Sequence, residues 1–337
     1  MQQSIAVIGG GSWATALVKI LTEHKSIPES KIDKLSWWVR HRHLADYIKE
    51  NRHNPEYLSS VEIHPELVNV SNNLKELVTT HNTLLFVIPA AFLEVSLEGI
   101  TAADLADKRI VSAIKGLVPG TKQIVGDYFI EKYNVAPKNI CVISGPCHAE
   151  EVAYEKLSYL TIASEDLDFA RNFASLLSCR YIRTVVSSDV RGTEYGAVLK
   201  NIYAIAAGIC HGLGYGDNFQ AVLMSNAIRE MKRFLRNITD TNRKINHSAY
   251  LGDLLVTGYS LHSRNRTFGN MIGLGYTVKN AQLEMKMVAE GYYATKNMFL
   301  LNQQLQIKMP ILNAVYAILY EGKSPKKTIE KLAEKLV

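Results

Sequence analysis

Along the first half of the chain, short runs of continuous apolar residues alternate with stretches of helical period. The runs are IAVIG (5–9), LSWWVR (35–40), TLLFVIP (83–89), RIVSAIKG (109–116) and NICVISGP (139–146). Strands that are apolar on both faces and separated by helices predict a parallel sheet covered on both sides. Two further strand-like segments, YLTIAS (159–164) and YIRTVVSSDV (181–190), follow. Past about Val190 the period becomes helical, with long candidates at 218–239, 287–304 and 310–320. The expected class is α/β plus all-α: an N-terminal Rossmann-like doubly wound sheet over residues 1–188, then a helical domain over 189–337. No internal repeat, low-complexity tract or Gly/Pro/Ser linker interrupts this pattern.

One helical run breaks its own pattern. YGAVLKNIYAIAAG (195–208) is apolar or small throughout except at Lys200 and Asn201. A lysine there either lies along apolar surface with its amine in solvent, or is buried and paired. Other chemistry-bearing residues bear on that choice. IAVIGGGSWATALVKIL sets Gly9, Gly11 and Ala14 in a G-x-G-x-x-A pattern between a strand and a helix, the arrangement that holds a dinucleotide pyrophosphate. The second strand ends in Arg40, His41, Arg42 and His43 rather than in an acid, so a 2′-phosphate could be neutralised there and NADP is as well suited as NAD. Lys115 follows a buried strand, where doubly wound sheets bind ligands. A Gly-Pro turn carries Gly145, Cys147 and His148, and the turn is read as presenting backbone to a ligand rather than a nucleophilic thiolate. Asp253 stands in an apolar run, and Ser263, Arg264, Asn265 and Arg266 form a polar cluster suited to phosphate oxygens.

Composition narrows the classes. The 337 residues are 47% hydrophobic, with no apolar run near the roughly 20 residues of a membrane span. The start MQQSIAVIGGG enters a strand pattern directly, so export is not expected. Four cysteines without paired spacing suggest reduced thiols and neither a disulfide framework nor a structural metal. The net charge of +6 is dispersed among 32 acidic residues, which disfavours nucleic acid and leaves a small anionic ligand to account for the excess.

Seven motifs carry a family resemblance: GGGSWATAL, SAIKGL, GPCHAEEVA, GAVLKNIYAIAAGICHGLGYGDN, GDLLVT, SRNRTFG and VAEGYYAT. In order and spacing, from residue 5 to about 295, the chain resembles the bacterial NAD(P)-dependent glycerol-3-phosphate dehydrogenases. The resemblance implies a cytoplasmic oxidoreductase, commonly a homodimer, that interconverts dihydroxyacetone phosphate and sn-glycerol 3-phosphate at the entry to glycerophospholipid synthesis. It implies Lys200, Lys115 and Asp253 at the reacting centre. Substrate contacts would come from Lys115, Gly145, Cys147, Lys200, Asp253, Ser263, Arg264 and Asn265. Cofactor contacts would come from Gly9, Gly11, Ser12, Trp13, Arg40, His41, Lys115, Ala149, Arg264, Val288 and Glu290. This chain departs from the family pattern at Ala14, where glycine is usual, and at Cys147, where a hydroxyl residue is common. VIPAAFLEV lacks the polar pair often found after that proline, and SNAIREM replaces a more usual helix start. Two rival readings are a hydroxyacid-type dehydrogenase of the same two-domain plan and a dinucleotide-binding redox sensor without turnover.

Overall fold

Eight strands form one sheet: β1 (Gln3–Ile8), β2 (Ile32–Trp38), β3 (Asn69–Ser71), β4 (Thr83–Phe86), β5 (Arg109–Ser112), β6 (Ile140–Ser144), β7 (Ser158–Ser164) and β8 (Ile182–Ser187). The computed structural model describes residues 3–239, 241–285 and 289–337. The chain divides into two units, residues 1–114 with 125–190, and residues 115–124 with 191–337.

The first unit holds the whole sheet, in the order β3-β2-β1-β4-β5-β6-β7-β8. Its first six strands are parallel and follow the Rossmann order, which reverses direction between β1 and β4. Ile5 and Val7 of β1 share a core with Leu17, Leu21, Phe169 and Phe173, so helices Ser12–Lys25 and Leu167–Leu177 cover one face. Phe86 lies out of phase with Leu85 and meets Phe129 of helix Val125–Tyr133 at 4.9 Å between ring centres. Both faces are therefore covered, which is why these strands read as continuous apolar runs. β7 pairs antiparallel to β6, and β8 runs parallel to β7. The parallel arrangement expected from the apolar runs thus ends at β6. Residues 145–157 contain only the short helix Ala149–Ala153, and the chain turns directly back instead of crossing over.

The second unit is helical. Helix Val190–Gly212 is buried on all sides from Gly192 to Cys210, as expected of a helix that is apolar all round. Asp217–Ile238, Glu290–Leu305 and Pro310–Tyr320 correspond to the three long helical periods of the sequence. The amino end of Pro310–Tyr320 has no cap from its own N-cap residue. Glu230 supplies one from a neighbouring helix, accepting hydrogen bonds from Ile311 N (2.8 Å) and Leu312 N (3.0 Å). Segment 115–124 packs into this unit through Leu117 and Ile124.

Helices Val190–Gly212 and Arg264–Gly273 cross in backbone contact. A Cβ on Gly208 would meet the carbonyl of Arg266, and one on Gly212 that of Asn270. Reciprocally, a Cβ on Gly269 would meet the carbonyl of Ile205, and one on Gly273 that of Ile209. All four clashes fall on backbone, which cannot rotate away. Gly269→Ala must push the helices apart, at a cost of about 1–3 kcal/mol and a loss in Tm on the order of 5 °C. Gly216→Ala, where a Cβ meets nothing, should change Tm little. Equal Tm values for the two variants in a thermal melt would contradict the close crossing.

Candidate active site

In the first unit the glycine turn after β1 is held through its carbonyls. Trp37 Nε1 donates to Gly9 O (2.6 Å), and Asn54 Nδ2 donates to Gly10 O (3.0 Å). Thr15 N and Thr15 Oγ1 both donate to Gly11 O. Gly9 has φ +140, and a Cβ on it would strike the Val87 carbonyl of the neighbouring strand end. Only glycine fits there. At Gly11 a Cβ would meet nothing within 4 Å, so the space in front of the turn is open. The helix that begins at Ser12 has no side-chain cap and no acidic residue in its first turn. A positive helix end with space before it, at the switch point of the sheet, fits the pyrophosphate of a dinucleotide.

Arg40 lies exposed beyond β2. Its Nε and Nη2 stand 3.1 and 3.0 Å from His41 Nε2, and its guanidinium lies 6.0 Å from the centre of the Phe92 ring. Phe92 belongs to the PAAF segment in which the expected polar pair is missing, so this chain has an aromatic beside the arginine instead. Gly145, with φ +123, ends β6 where a Cβ would sit 2.7 Å from Tyr159 O. Cys147 and Ala149 follow it, both nearly buried.

In the second unit, Lys200 is 4% exposed and Asp253 is 1% exposed, and Lys200 Nζ donates to Asp253 Oδ1. The amine is paired inside the unit and does not reach solvent. Asp253 is presented by a π-helical turn, Ser248–Gly252, that runs into helix Asp253–Tyr259. Its own carbonyl accepts from Thr257 Oγ1 (2.6 Å). Asn201 Nδ2 donates to Lys115 O (3.1 Å), which ties segment 115–124 beside Lys200. Burial lowers the Lys200 pKa, Asp253 opposes this, and the Lys115 ammonium adds to it, leaving the group pushed down to about 8. Such an amine holds its proton at neutral pH yet gives it up readily.

Ser263 caps helix Arg264–Gly273 by accepting from Arg266 N (3.3 Å), while Arg264 is exposed at the first helical position. Asn265 Oδ1 accepts from Gly291 N (2.9 Å). A Cβ on Gly291 would lie 2.7 Å from Asn201 O and 2.8 Å from Asn265 Oδ1. Gly291 therefore joins three helices beside Lys200, and Glu290 begins the third. Val288, expected to contact cofactor, lies outside the described residues.

Structural and sequence comparisons converge on one group. The model described as the NAD-dependent glycerol-3-phosphate dehydrogenase N-terminus matches residues 4–170, and the corresponding C-terminus model matches residues 189–330. This chain belongs to the NAD-dependent glycerol-3-phosphate dehydrogenase family. It is 36% identical to the glycerol-3-phosphate dehydrogenase [NAD(P)+] of an Exiguobacterium species, over 98% of this chain and 94% of that protein. The enzyme of the same name from Ligilactobacillus salivarius is 35% identical, over 99% of this chain and 98% of that protein. The crystal structure of glycerol-3-phosphate dehydrogenase from Coxiella burnetii superposes with a TM-score of 0.90 at 29% identity, covering 99% of each chain.

Within this family frame, Lys115, Lys200, Asp253 and the Ser263–Asn265 motif all fall in the helical unit. Gly9, Gly11, Ser12, Trp13, Arg40, His41, Gly145, Cys147 and Ala149 fall in the sheet unit. Trp37 and Asn54 were not singled out by the sequence reading, because a tryptophan in a strand and an asparagine in a loop carry no local signal of the carbonyls they bind. Asp253→Asn tests the buried pair. With its counter-charge gone, protonated Lys200 is stranded, which costs about 3–5 kcal/mol. The Tm deficit should be large at pH 6 and shrink at pH 9, where the amine can shed its proton. A deficit that does not narrow with pH would mean that the lysine charge is not buried.

Proposed function

We propose that this chain catalyses reversible NAD(P)H-dependent reduction of dihydroxyacetone phosphate to sn-glycerol 3-phosphate, supplying the backbone for glycerophospholipid synthesis. The observation that carries the chemistry is the buried Lys200–Asp253 pair with Lys115 alongside. A hydride-transferring oxidoreductase of this family needs an internal proton donor, whereas a binding-only sensor has no use for one. Domain roles follow the sequence division: residues 1–188 bind the dinucleotide, and residues 189–337 with Lys115 bind and protonate the substrate.

A nicotinamide dinucleotide held at the Gly9–Gly11 turn would supply the hydride for the ketone carbon. Lys200 donates its proton to the oxygen as alkoxide character develops, and recovers one in the reverse direction. Lys115 places a second positive charge near that oxygen, and Asp253 holds Lys200 in position and balances its charge. Ser263 and Asn265 spend side-chain oxygens on capping and on Gly291, so their part is to set the helix start from which Arg264 reaches the substrate phosphate. In the sheet unit, Gly9, Gly11, Ser12 and Trp13 form the pyrophosphate turn, and Arg40 with His41 would accept a 2′-phosphate, making NADP as acceptable as NAD.

Among the described residues no helix is long and apolar enough to cross a membrane. The family resemblance supports a cytoplasmic homodimer as the form of the enzyme.

The direct test follows nicotinamide absorbance with dihydroxyacetone phosphate and NADPH or NADH side by side. Turnover with both coenzymes is expected, and no oxidation of either would overturn the assignment. Arg264→Lys keeps the charge but loses the planar fork, so KM for dihydroxyacetone phosphate should rise about tenfold or more. An unchanged KM would remove Arg264 from the phosphate site.

A further inference from the structure

Outside the residues assigned above, the second unit contains a hollow of about 710 Å³ between helices Pro310–Tyr320 and Pro325–Ala333, within the size range of small-molecule sites. Five lysines line it, Lys308, Lys323, Lys327, Lys331 and Lys335, against a single carboxylate, Glu321. None of the five forms an ion pair among the described residues, whereas Lys75 and Lys132 of the sheet unit are paired with Asp104 and Glu94. Pro310, Ala314, Ala317 and Leu332 give the hollow an apolar floor.

The charge pattern works against the amino end of the helix that carries it, although Lys331 in the last turn suits the dipole. Lys327 and Lys331 stand four residues apart on the helix, which sets like charges side by side, and Lys335 follows beyond the helix end. Glu330 and Glu334, which could have relieved them, do not line the hollow. Lys326 and Lys327 occupy the first turn, which contains no acidic residue, so cations sit at the positive end of the helix dipole. Local choices that oppose stability in several ways at one place mark a site kept for another purpose. A bound anion removes both conflicts at once.

We propose that this hollow binds a small molecule carrying two or more phosphate groups on an apolar body. The phosphates would lie among Lys323, Lys327 and Lys331 near the helix start, and the apolar part would rest on Ala314 and Leu332. The site is independent of the assigned reaction and shares no residue with it.

The test uses the full chain with NADPH at saturation, so that the dinucleotide turn is filled, and titrates inorganic tripolyphosphate by calorimetry at low salt. Saturable binding with one site per chain is expected, weakening steeply as salt is added. Lys327→Gln/Lys331→Gln, at two exposed positions, should lower the affinity at least tenfold while Tm without ligand is unchanged or raised. Lys138→Gln, at an exposed position of the sheet unit outside the hollow, should bind as the parent does. Absence of saturable binding, or equal affinity in the double variant and the parent, would overturn the proposal.

Discussion

The ion pair between Lys200 and Asp253 is the interaction around which the helical unit is organised. Taking an ammonium and a carboxylate out of water costs several kcal/mol for each ion, and their attraction compensates only when both are held in good geometry. That requirement explains features which would otherwise be unrelated. The π-turn Ser248–Gly252 aims Asp253, Asn201 fastens Lys115 through its carbonyl, and Gly291 lets a third helix start against Asn201. An apolar residue at position 200 would pack without any of this. In the proposed function, the use of the Lys200 proton is what this costly arrangement serves.

Glycine supplies the precision. Gly208, Gly212, Gly269 and Gly273 bring two helices into backbone contact, so that the Ser263–Asn265 motif is fixed relative to the helix bearing Lys200. Backbone contacts leave no side-chain rotamers to relax, which would suit the proposed proton donor, whose placement must be good to within a fraction of an ångström. The sheet unit uses the opposite device. There the glycine turn stays open in front, while Trp37, Asn54 and Thr15 hold its carbonyls from behind.

Much of this architecture was legible in the sequence because its signals are local. The apolar runs marked the strands that are buried on both faces, and Pro310 marked the start of its helix. The G-x-G-x-x-A pattern marked the turn after β1, and the misplaced lysine marked a buried amine paired with Asp253. What was not legible depends on partners distant in the chain. β3 is a three-residue edge strand with no run of its own. The reversal at β7 depends on how the short connection after β6 folds, and the strand residues look alike in either direction. Trp37, Asn54 and Phe92 acquire their roles only from the backbone or side chains they meet. The glycines of the helix crossing could have been noticed as two pairs spaced by four, but the spacing acquires meaning only once the two helices are known to touch.

Turnover of Lys200→Met, measured with thermal stability and coenzyme affinity on the same preparation, tests the central claim most directly. Methionine fills similar volume without charge, and although taking this partner from buried Asp253 lowers Tm, a lysine kept only for structure would be replaced in the folded protein with activity intact. The account predicts a folded protein that still binds coenzyme and has lost turnover by about 10²–10⁴-fold, the usual contribution of a general acid. A folded variant with near-normal turnover would contradict it.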